Sequence, residues 1–167
     1  MKLSAHFDSG EFAVGGTAGA IPETLLPIFT EMCEKLLEPV REQFGLPIRI
    51  TSGYRSPERN AAVGGVPASQ HIATAHQCAC DFQMPGQLLD DVFDWIRLES
   101  FLPFDQVILE RGRQPRHRSA DCIHISYTRQ PRLMALEGST HGRGAYTQVA
   151  VNEQTAIPND PDLWGEA

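Results

Sequence analysis

The sequence CACDFQM, residues 78–84, indicates the fold most directly. Its side chains alternate in character, so a β-strand would direct the cysteines, the phenylalanine and the methionine toward a core and Asp81 to the opposite face. The sequence CIHISY, residues 122–127, alternates in the same way and would direct His124 away from a core face formed by Ile123, Ile125 and Tyr127. A carboxylate and an imidazole from neighbouring strands are thus expected on one open face of a sheet.

Helices are predicted before and between these two strands in the sequence. Between Thr17 and Phe44 apolar residues recur three and four positions apart, which is typical of an amphipathic helix, and Pro39 must kink or divide that helix. The other predicted elements are a short helix from Ser56 to Val63, a helix over 88–98, strands over 48–51, 106–109 and 146–151, and a polar hairpin loop over 111–120. Together they predict an α+β fold in which helices flank a small, mostly antiparallel sheet.

The length and composition indicate one globular domain. The 167 residues suit a single core, 41% of them are hydrophobic and 21% are charged, and the 14 glycines and 12 prolines favour short elements joined by loops. This composition argues against a disordered chain and a coiled coil. We expect the domain to span residues 1–150 and residues 151–167 to form a poorly ordered tail.

The charge and hydropathy patterns disfavour several partners. The formal net charge of −7, without a basic run, argues against binding nucleic acid or an anionic membrane through overall charge. No apolar stretch approaches the roughly 18 residues of a membrane span, and residues 1–15 lack a signal-peptide pattern. We expect a protein that is synthesised in the cytoplasm without a signal peptide, does not insert into a membrane and acts as a monomer.

Three side chains have the chemistry of a metal site. His71 ends a loop just before the strand of Asp81 and could join Asp81 and His124 as a third ligand. Two imidazoles and one carboxylate leave the fourth position of a zinc ion open to water, as in catalytic rather than structural zinc sites. The competing interpretation is that each residue is an ordinary solvated or hydrogen-bonded polar side chain.

The cysteines do not complete a second metal site. The chain has four, too few for a disulfide scaffold, so a reduced state is expected. Cys78 and Cys80 lack a partner pair and lie on the apolar face of their strand, which favours packing in the core. Cys122 shares a face with His124, and we place it near the site without making it a ligand.

Two further residues lie close to this pattern in the sequence. Asp121 stands three positions before His124, where a turn enters the strand, and could reach a water molecule on the metal without ligating the metal itself. Arg55 follows the strand over 48–51 through a glycine turn, a place where functional side chains are commonly presented. From the sequence alone, a surface arginine or a helix-capping partner is the simpler interpretation of Arg55.

Taken in order, these fragments resemble the M15 zinc peptidases, in the branch of D-alanyl-D-alanine carboxypeptidase-like enzymes and phage L-alanyl-D-glutamate endopeptidases. The resemblance covers residues 5–130. It rests on the sequences LLEPVR at 36–41, ITSGYRS at 50–56, VGG at 63–65, SQH at 69–71, CDF at 80–82 and IHIS at 123–126. It implies a fold of the Hedgehog and DD-peptidase type.

The same resemblance implies a zinc-dependent hydrolase of peptidoglycan stem peptides. It assigns His71, Asp81 and His124 as the zinc ligands. It assigns Asp121 as the general base and Arg55 as the side chain that stabilises the oxyanion. The scissile bond would be D-Ala-D-Ala or L-Ala-D-Glu, and the enzyme a phage or prophage endolysin that acts on the cell wall after release or as part of a virion.

The spacing departs from the family pattern between the first two ligands. His71 and Asp81 are separated by three residues more than is usual in the family, so residues 73–77 either bulge outward or allow His76 to replace His71. The Ser-Gln-His context favours His71. The insertion could also reshape the substrate cleft, which leaves the choice of scissile bond open.

A second hypothesis is a non-catalytic, metal-binding module of the same fold, such as a virion assembly or tail protein. Asp121 discriminates between the two hypotheses, because a module that only binds metal has no use for a general base beside an open metal position. A third interpretation is an acidic globular domain without a metal.

Overall fold

The fold is built on one six-stranded sheet. The computed structural model describes residues 1–13, 20–112, 121–139 and 146–152. The strands are β1 (Arg49–Ser52), β2 (Gln77–Gln83), β3 (Gln106–Arg111), β4 (Cys122–Thr128), β5 (Met134–Ser139) and β6 (Tyr146–Val149). Their order across the sheet is β1-β2-β4-β3-β5-β6. All five predicted strands are present, and β5 is an addition that the sequence pattern did not indicate.

The sheet is mixed, which corrects the expectation of a mostly antiparallel sheet. The pairs β1–β2, β2–β4, β3–β4 and β5–β6 are antiparallel, whereas β3 and β5 run parallel. The cause is the connection over residues 129–133, which reverses the chain after β4 and carries it past the end of β3 to the far edge of that strand. The α+β class is confirmed, because helices from separate parts of the chain pack against the sheet.

The long N-terminal helix is divided at Pro39, as expected. Its parts are α1 (Leu26–Met32), a π-helical turn (Cys33–Leu37) and α2 (Glu38–Phe44), and short 3-10 segments lie at Ser9–Phe12 and Glu23–Leu25. Proline has no N–H to donate to the preceding turn. The wider π-helical turn lies immediately before it, and the Glu38 N–H there donates to the Cys33 carbonyl. Residues 17–19 of the predicted helix lie outside the described residues.

Two shorter helices lie close to their predicted bounds. α3 (Pro57–Ala62) begins after Ser56, whose hydroxyl accepts a hydrogen bond from the Arg59 N–H at 3.2 Å. α4 (Leu89–Leu98) packs on β3 and β4. Its buried side chains are Val92, Phe93 and Ile96.

The core lies on the face of the sheet that the alternation predicts. The core-facing side chains of β2 and β4 are buried, namely Cys78, Cys80, Phe82, Ile123, Ile125 and Tyr127. α1 packs directly on β2 from this side. The opposite face, with Asp81 and His124, is therefore left for a functional site.

Two predicted segments lie largely outside the described residues. They are the hairpin loop, of which Arg111 and Gly112 are described, and the C-terminal tail, of which Val151 and Asn152 are described. Within the described part of the chain, no helix combines the length and the apolar character that crossing a membrane requires.

Asp105 joins three segments beside the functional face. Its carboxylate, in a residue that is 2% exposed, accepts hydrogen bonds from the Arg132 side chain at 2.6 and 2.9 Å and from Gln70 at 2.8 Å. Arg132 belongs to the connection between β4 and β5, and Gln70 immediately precedes His71. The carboxylate thus ties the start of β3 to that connection and to the loop of His71.

We predict that Asp105→Asn lowers the free energy of unfolding by about 2–3 kcal/mol at neutral pH, because charge-assisted hydrogen bonds are weakened at a buried site. Burial raises the pKa of Asp105, but the hydrogen bonds from Arg132 and Gln70 outweigh burial and hold this pKa below its ordinary value. The stabilisation is therefore complete above the ordinary pKa of about 4 and is lost as the pH falls through the lower folded-state pKa.

Urea unfolding between neutral and acidic pH measures both effects. Asp94 is the matched control, since its ion pair with Arg97 leaves the Asp94 side chain 52% exposed. Asp94→Asn should change the free energy of unfolding by at most about 0.5 kcal/mol. Equal losses in the two variants would contradict the role given to Asp105.

Candidate metal centre

The loop after β1 holds His71 in place. The Gly53 carbonyl accepts a hydrogen bond from His71 Nδ1 at 2.7 Å, and the Arg55 N–H donates to the His71 carbonyl at 2.9 Å. His71 is 4% exposed. Donation from Nδ1 to a carbonyl sets the tautomer, so in the neutral ring Nε2 carries the lone pair. His71 therefore directs Nε2, the nitrogen that can bind a metal, toward Asp81.

Asp81 and His124 face each other across the β2–β4 ladder, where the register pairs them directly. Oδ1 of Asp81 lies 2.8 Å from Nδ1 of His124 and 3.1 Å from Nε2 of His71. One potential ligand atom from each of the three residues lies within 4.8 Å of the other two. The fold thus brings together the three residues that the sequence analysis singled out.

This set of side chains fits a divalent cation. With Nδ1 of His71 donating to Gly53, Nε2 of the neutral ring and Oδ1 of Asp81 are both acceptors, and only a proton or a cation between them makes their approach favourable. Burial raises the pKa of Asp81, but the two imidazoles outweigh burial and hold this pKa well below its ordinary range. Asp81 is therefore ionised, as a metal ligand must be.

Arg55 lies beside this cluster. Its Nη2 donates to Asp81 Oδ2 at 3.2 Å and to the Ser52 hydroxyl at 2.7 Å, and its Nε donates to the same hydroxyl at 3.2 Å. Within the described part of the chain, its Nη1 forms no hydrogen bond. The guanidinium balances part of the charge of Asp81 and keeps N–H groups for a ligand, which goes beyond the surface or capping role that the sequence alone favoured.

The residues inserted between His71 and Asp81 form an exposed turn. The Thr74 N–H donates to the Gln77 carbonyl at 2.9 Å, and the turn carries His76 on the surface, outside the three-residue cluster. The insertion bulges outward, which is the first of the two predicted alternatives. The geometry favours His71 over His76 as the first member of the cluster.

Asp121 lies at the entrance to β4. Its Oδ1 accepts a hydrogen bond from the Gly112 N–H at 2.6 Å, and its backbone carbonyl accepts one from Gln83 Nε2 at 2.7 Å. The first bond joins the two strands at the end of the β3–β4 pair where β3 ends and β4 begins. These contacts are structural, and the role of Asp121 as a general base stays a prediction.

A second carboxylate, Glu110, lies on the functional face and was missed by the sequence analysis. It is paired with Cys122 in the β3–β4 register, so it shares the face of His124. It accepts a hydrogen bond from the Tyr146 hydroxyl at 2.9 Å, and the sulfur of Cys122 lies 3.9 Å from its second oxygen. The alternation along β3 was a usable signal, but only the pairing with β4 shows which face is functional.

Tyr146 reaches Glu110 across β5. The register pairs Gly138 with both residues, so no side chain separates them. Burial and the nearby Glu110 carboxylate raise the pKa of Tyr146, so the phenol stays protonated and donates. Burial likewise raises the pKa of Cys122, whose thiol lies near the site as expected and stays protonated.

An open cleft of about 1070 Å³ covers this face. Its lining includes the three clustered residues, Arg55, Glu110 and Tyr146. Two imidazoles and an ionised carboxylate that converge in an open cleft are typical of the metal-dependent hydrolases. The fold and the site therefore define the protein as a candidate of that class.

Comparison with known proteins makes the assignment more specific. The family model described as Peptidase M15 matches residues 5–125, which include Arg55, His71, Asp81, Asp121 and His124. The chain belongs to the Peptidase M15 family, and the match supports a peptidase with a group of side chains able to hold a metal ion. A comparison with curated proteins gives no significant match.

We predict that His71→Ala weakens zinc binding by more than about 100-fold. The substitution removes a direct ligand, and the loss of a residue that only orients a ligand already lowers metal affinity by about 10- to 100-fold. Isothermal titration of the metal-free protein with zinc measures the affinity and the stoichiometry. His76→Ala is the matched control, since His76 lies on the exposed turn. If His76→Ala loses zinc and His71→Ala keeps it, the first ligand has been misassigned.

We predict that Gly53→Ala destabilises the protein by about 1–3 kcal/mol and weakens zinc binding about 10- to 100-fold. A Cβ at Gly53 would lie 2.3 Å from the Phe12 carbonyl oxygen, so the backbone that accepts the hydrogen bond from His71 must shift. Gly10→Ala is the control, because a Cβ at Gly10 meets no atom within 4 Å. Thermal unfolding and zinc titration should leave Gly10→Ala close to the parent. If Gly53→Ala has the stability and the zinc affinity of the parent, the loop does not hold His71.

Proposed function

We propose that this protein is a zinc-dependent hydrolase of peptidoglycan stem peptides. The observation that carries the proposal is the convergence of His71, Asp81 and His124 in an open cleft, in a chain of the Peptidase M15 family. The cleft of about 1070 Å³ is large enough for several residues of an extended peptide. The clustered residues thus account for the proposed hydrolysis, and the cleft accounts for the proposed peptide substrate.

The three clustered residues would hold the ion. Zinc with three protein ligands and one open position acidifies a water molecule and polarises a carbonyl oxygen. Imidazole and carboxylate ligands suit this ion, and the backbone bond to His71 Nδ1 orients the ring. Asp81 supplies the negative charge of the ligand set.

Arg55 would stabilise the negative charge that develops on the substrate carbonyl oxygen. Its guanidinium is already held beside the cluster by Ser52 and Asp81, so its position is set before the substrate binds. A donor held in advance contributes more than one that must be reordered, and the loss of one such donor commonly reduces kcat by about 100-fold or more. Nη1 is the group available for this contact.

Asp121 would accept a proton from the attacking water and later transfer it to the leaving amine. Its position directly before β4, the strand of His124, supports this role. Its Oδ1 is held by the Gly112 N–H, so Oδ2 is the oxygen proposed to exchange the proton.

The candidate scissile bonds are D-Ala-D-Ala and L-Ala-D-Glu in the stem peptide. We place the activity at the cell wall, in an endolysin that acts at lysis or is carried by a virion. Incubation of purified peptidoglycan with the zinc-loaded protein, followed by mass spectrometry of the released fragments, tests the activity and names the bond. A zinc-loaded protein that releases no fragments would favour the non-catalytic metal-binding module.

We predict that Asp121→Asn keeps zinc and loses at least about 100-fold in the rate of peptidoglycan digestion, within the range expected for general acid–base catalysis. Asparagine keeps the oxygen that accepts the Gly112 N–H, so the substitution removes the charge while sparing the hairpin. Zinc content by elemental analysis and the digestion rate are measured on the same sample.

Glu110→Gln is the informative comparison, because Glu110 lines the cleft and lies on the face of the sheet that carries His124. A loss of digestion in Glu110→Gln together with full digestion by Asp121→Asn would transfer the proton-exchanging role to Glu110. Full digestion by both variants would exclude both carboxylates.

A further inference from the structure

In the described part of the chain, most of the charged side chains that line the cleft have a polar partner. Among the described residues, six besides the histidines are charged and line it, namely Arg55, Arg59, Asp81, Asp105, Glu110 and Arg132. Arg55 donates to Asp81, Arg132 donates to Asp105, and Glu110 accepts from Tyr146. Within the described ranges, the guanidinium of Arg59 has neither a hydrogen bond nor an ion pair. Of the described arginines that line the cleft, Arg59 is thus the one without an acidic partner.

The backbone of Arg59 is fixed, although its guanidinium has no partner among the residues that the structure describes. Its N–H donates to the Ser56 hydroxyl, in the first turn of α3. α3 begins two residues after Arg55, whose guanidinium contacts Asp81. Arg59 therefore projects from the wall of the cleft that also carries Arg55. Its planar group of N–H donors suits a carboxylate, which it can bind through two parallel hydrogen bonds.

The two candidate scissile bonds share one chemical feature. In D-Ala-D-Ala, the residue that supplies the amide nitrogen carries the free C-terminal carboxylate. In L-Ala-D-Glu, the glutamate is linked onward through its γ-carboxyl group, so its α-carboxylate is also free. In both cases a carboxylate is attached to the carbon atom next to the scissile nitrogen.

We propose that Arg59 binds this carboxylate and makes the enzyme selective for a free acid on the leaving-group side of the bond. The inference rests on the proposed function. Arg55 and Arg132 are committed to Asp81 and Asp105, whose charges they balance, whereas Arg59 has a full charge to offer. Binding through Arg59 also orients the peptide, because the carboxylate is two bonds from the scissile nitrogen.

The test uses pairs of synthetic stem peptides that differ only in this group. One pair is a peptide that ends in D-Ala-D-Ala as the free acid and as the C-terminal amide. The other is L-Ala-γ-D-Glu-L-Lys with the glutamate α-carboxyl group free or amidated. The zinc-loaded parent should cleave the acid of one pair about 10- to 100-fold better in kcat/KM than the matching amide, the range expected for hydrogen bonds to a charged group.

Arg59→Gln should lower kcat/KM for the acid by that same factor and leave kcat/KM for the amide near its parental value. Arg59→Lys keeps the charge without the planar fork and should restore part of the preference. Arg41→Gln is the matched control, since Arg41 in α2 is also half-buried but does not line the cleft. This control should keep the full preference for the acid.

Three results would overturn the inference, and they can be told apart. Equal cleavage of acid and amide by the parent, or an unchanged preference in Arg59→Gln, removes Arg59 from recognition and leaves the peptidase intact. An equal loss on acid and amide in Arg59→Gln indicates a structural effect of the substitution. A parent that cleaves neither peptides nor peptidoglycan overturns the proposed function itself, and the Arg59 assignment with it.

Discussion

The ionised carboxylate of Asp81 is the group on which the arrangement of the site depends. It lies within hydrogen-bond distance of both imidazoles and of the Arg55 guanidinium, so three segments of the chain converge on one side chain. A carboxylate this enclosed would be costly without its partners, because burial disfavours the charged form. The histidines and Arg55 reverse that cost, and a divalent cation between the ligands would serve the same purpose more completely.

The position of Asp81 comes from the sheet and that of His71 from a loop. Asp81 and His124 are directly paired in an antiparallel ladder, so the geometry of the strands determines their separation. His71 depends instead on two hydrogen bonds, one from its Nδ1 to the Gly53 carbonyl and one from the Arg55 N–H to its own carbonyl, and on the close packing of Gly53 against Phe12. The strand pair is the more rigid half of the site, and the loop is the half that a small substitution can displace.

Much of this arrangement could be predicted from residue alternation. Period-two patterns identified the two strands and the face shared by Asp81 and His124, because the side-chain direction in a strand is a local property. The Ser-Gln-His context favours His71 over His76, but the sequence does not decide the path of the inserted turn, since that path depends on contacts with distant residues. Glu110 was missed for a related reason, because its face has meaning only once β3 is paired with β4. The strand β5 was missed because its parallel pairing with β3 depends on a connection that no local pattern specifies.

The negative charge of the whole chain does not conflict with an anionic substrate. At physiological ionic strength the Debye length is about 8 Å, so exposed charges farther from the cleft than this are largely screened. The charges that a bound peptide meets are those of the lining, where Asp81 and Asp105 are each balanced by an arginine and Glu110 accepts a hydrogen bond from the neutral Tyr146 hydroxyl. Among the described side chains of the lining, the guanidinium of Arg59 is the cation without an acidic partner and contributes most to the local attraction of an anion. Recognition then depends on this local contact, and the formal net charge of −7 affects mainly solubility and encounter at long range.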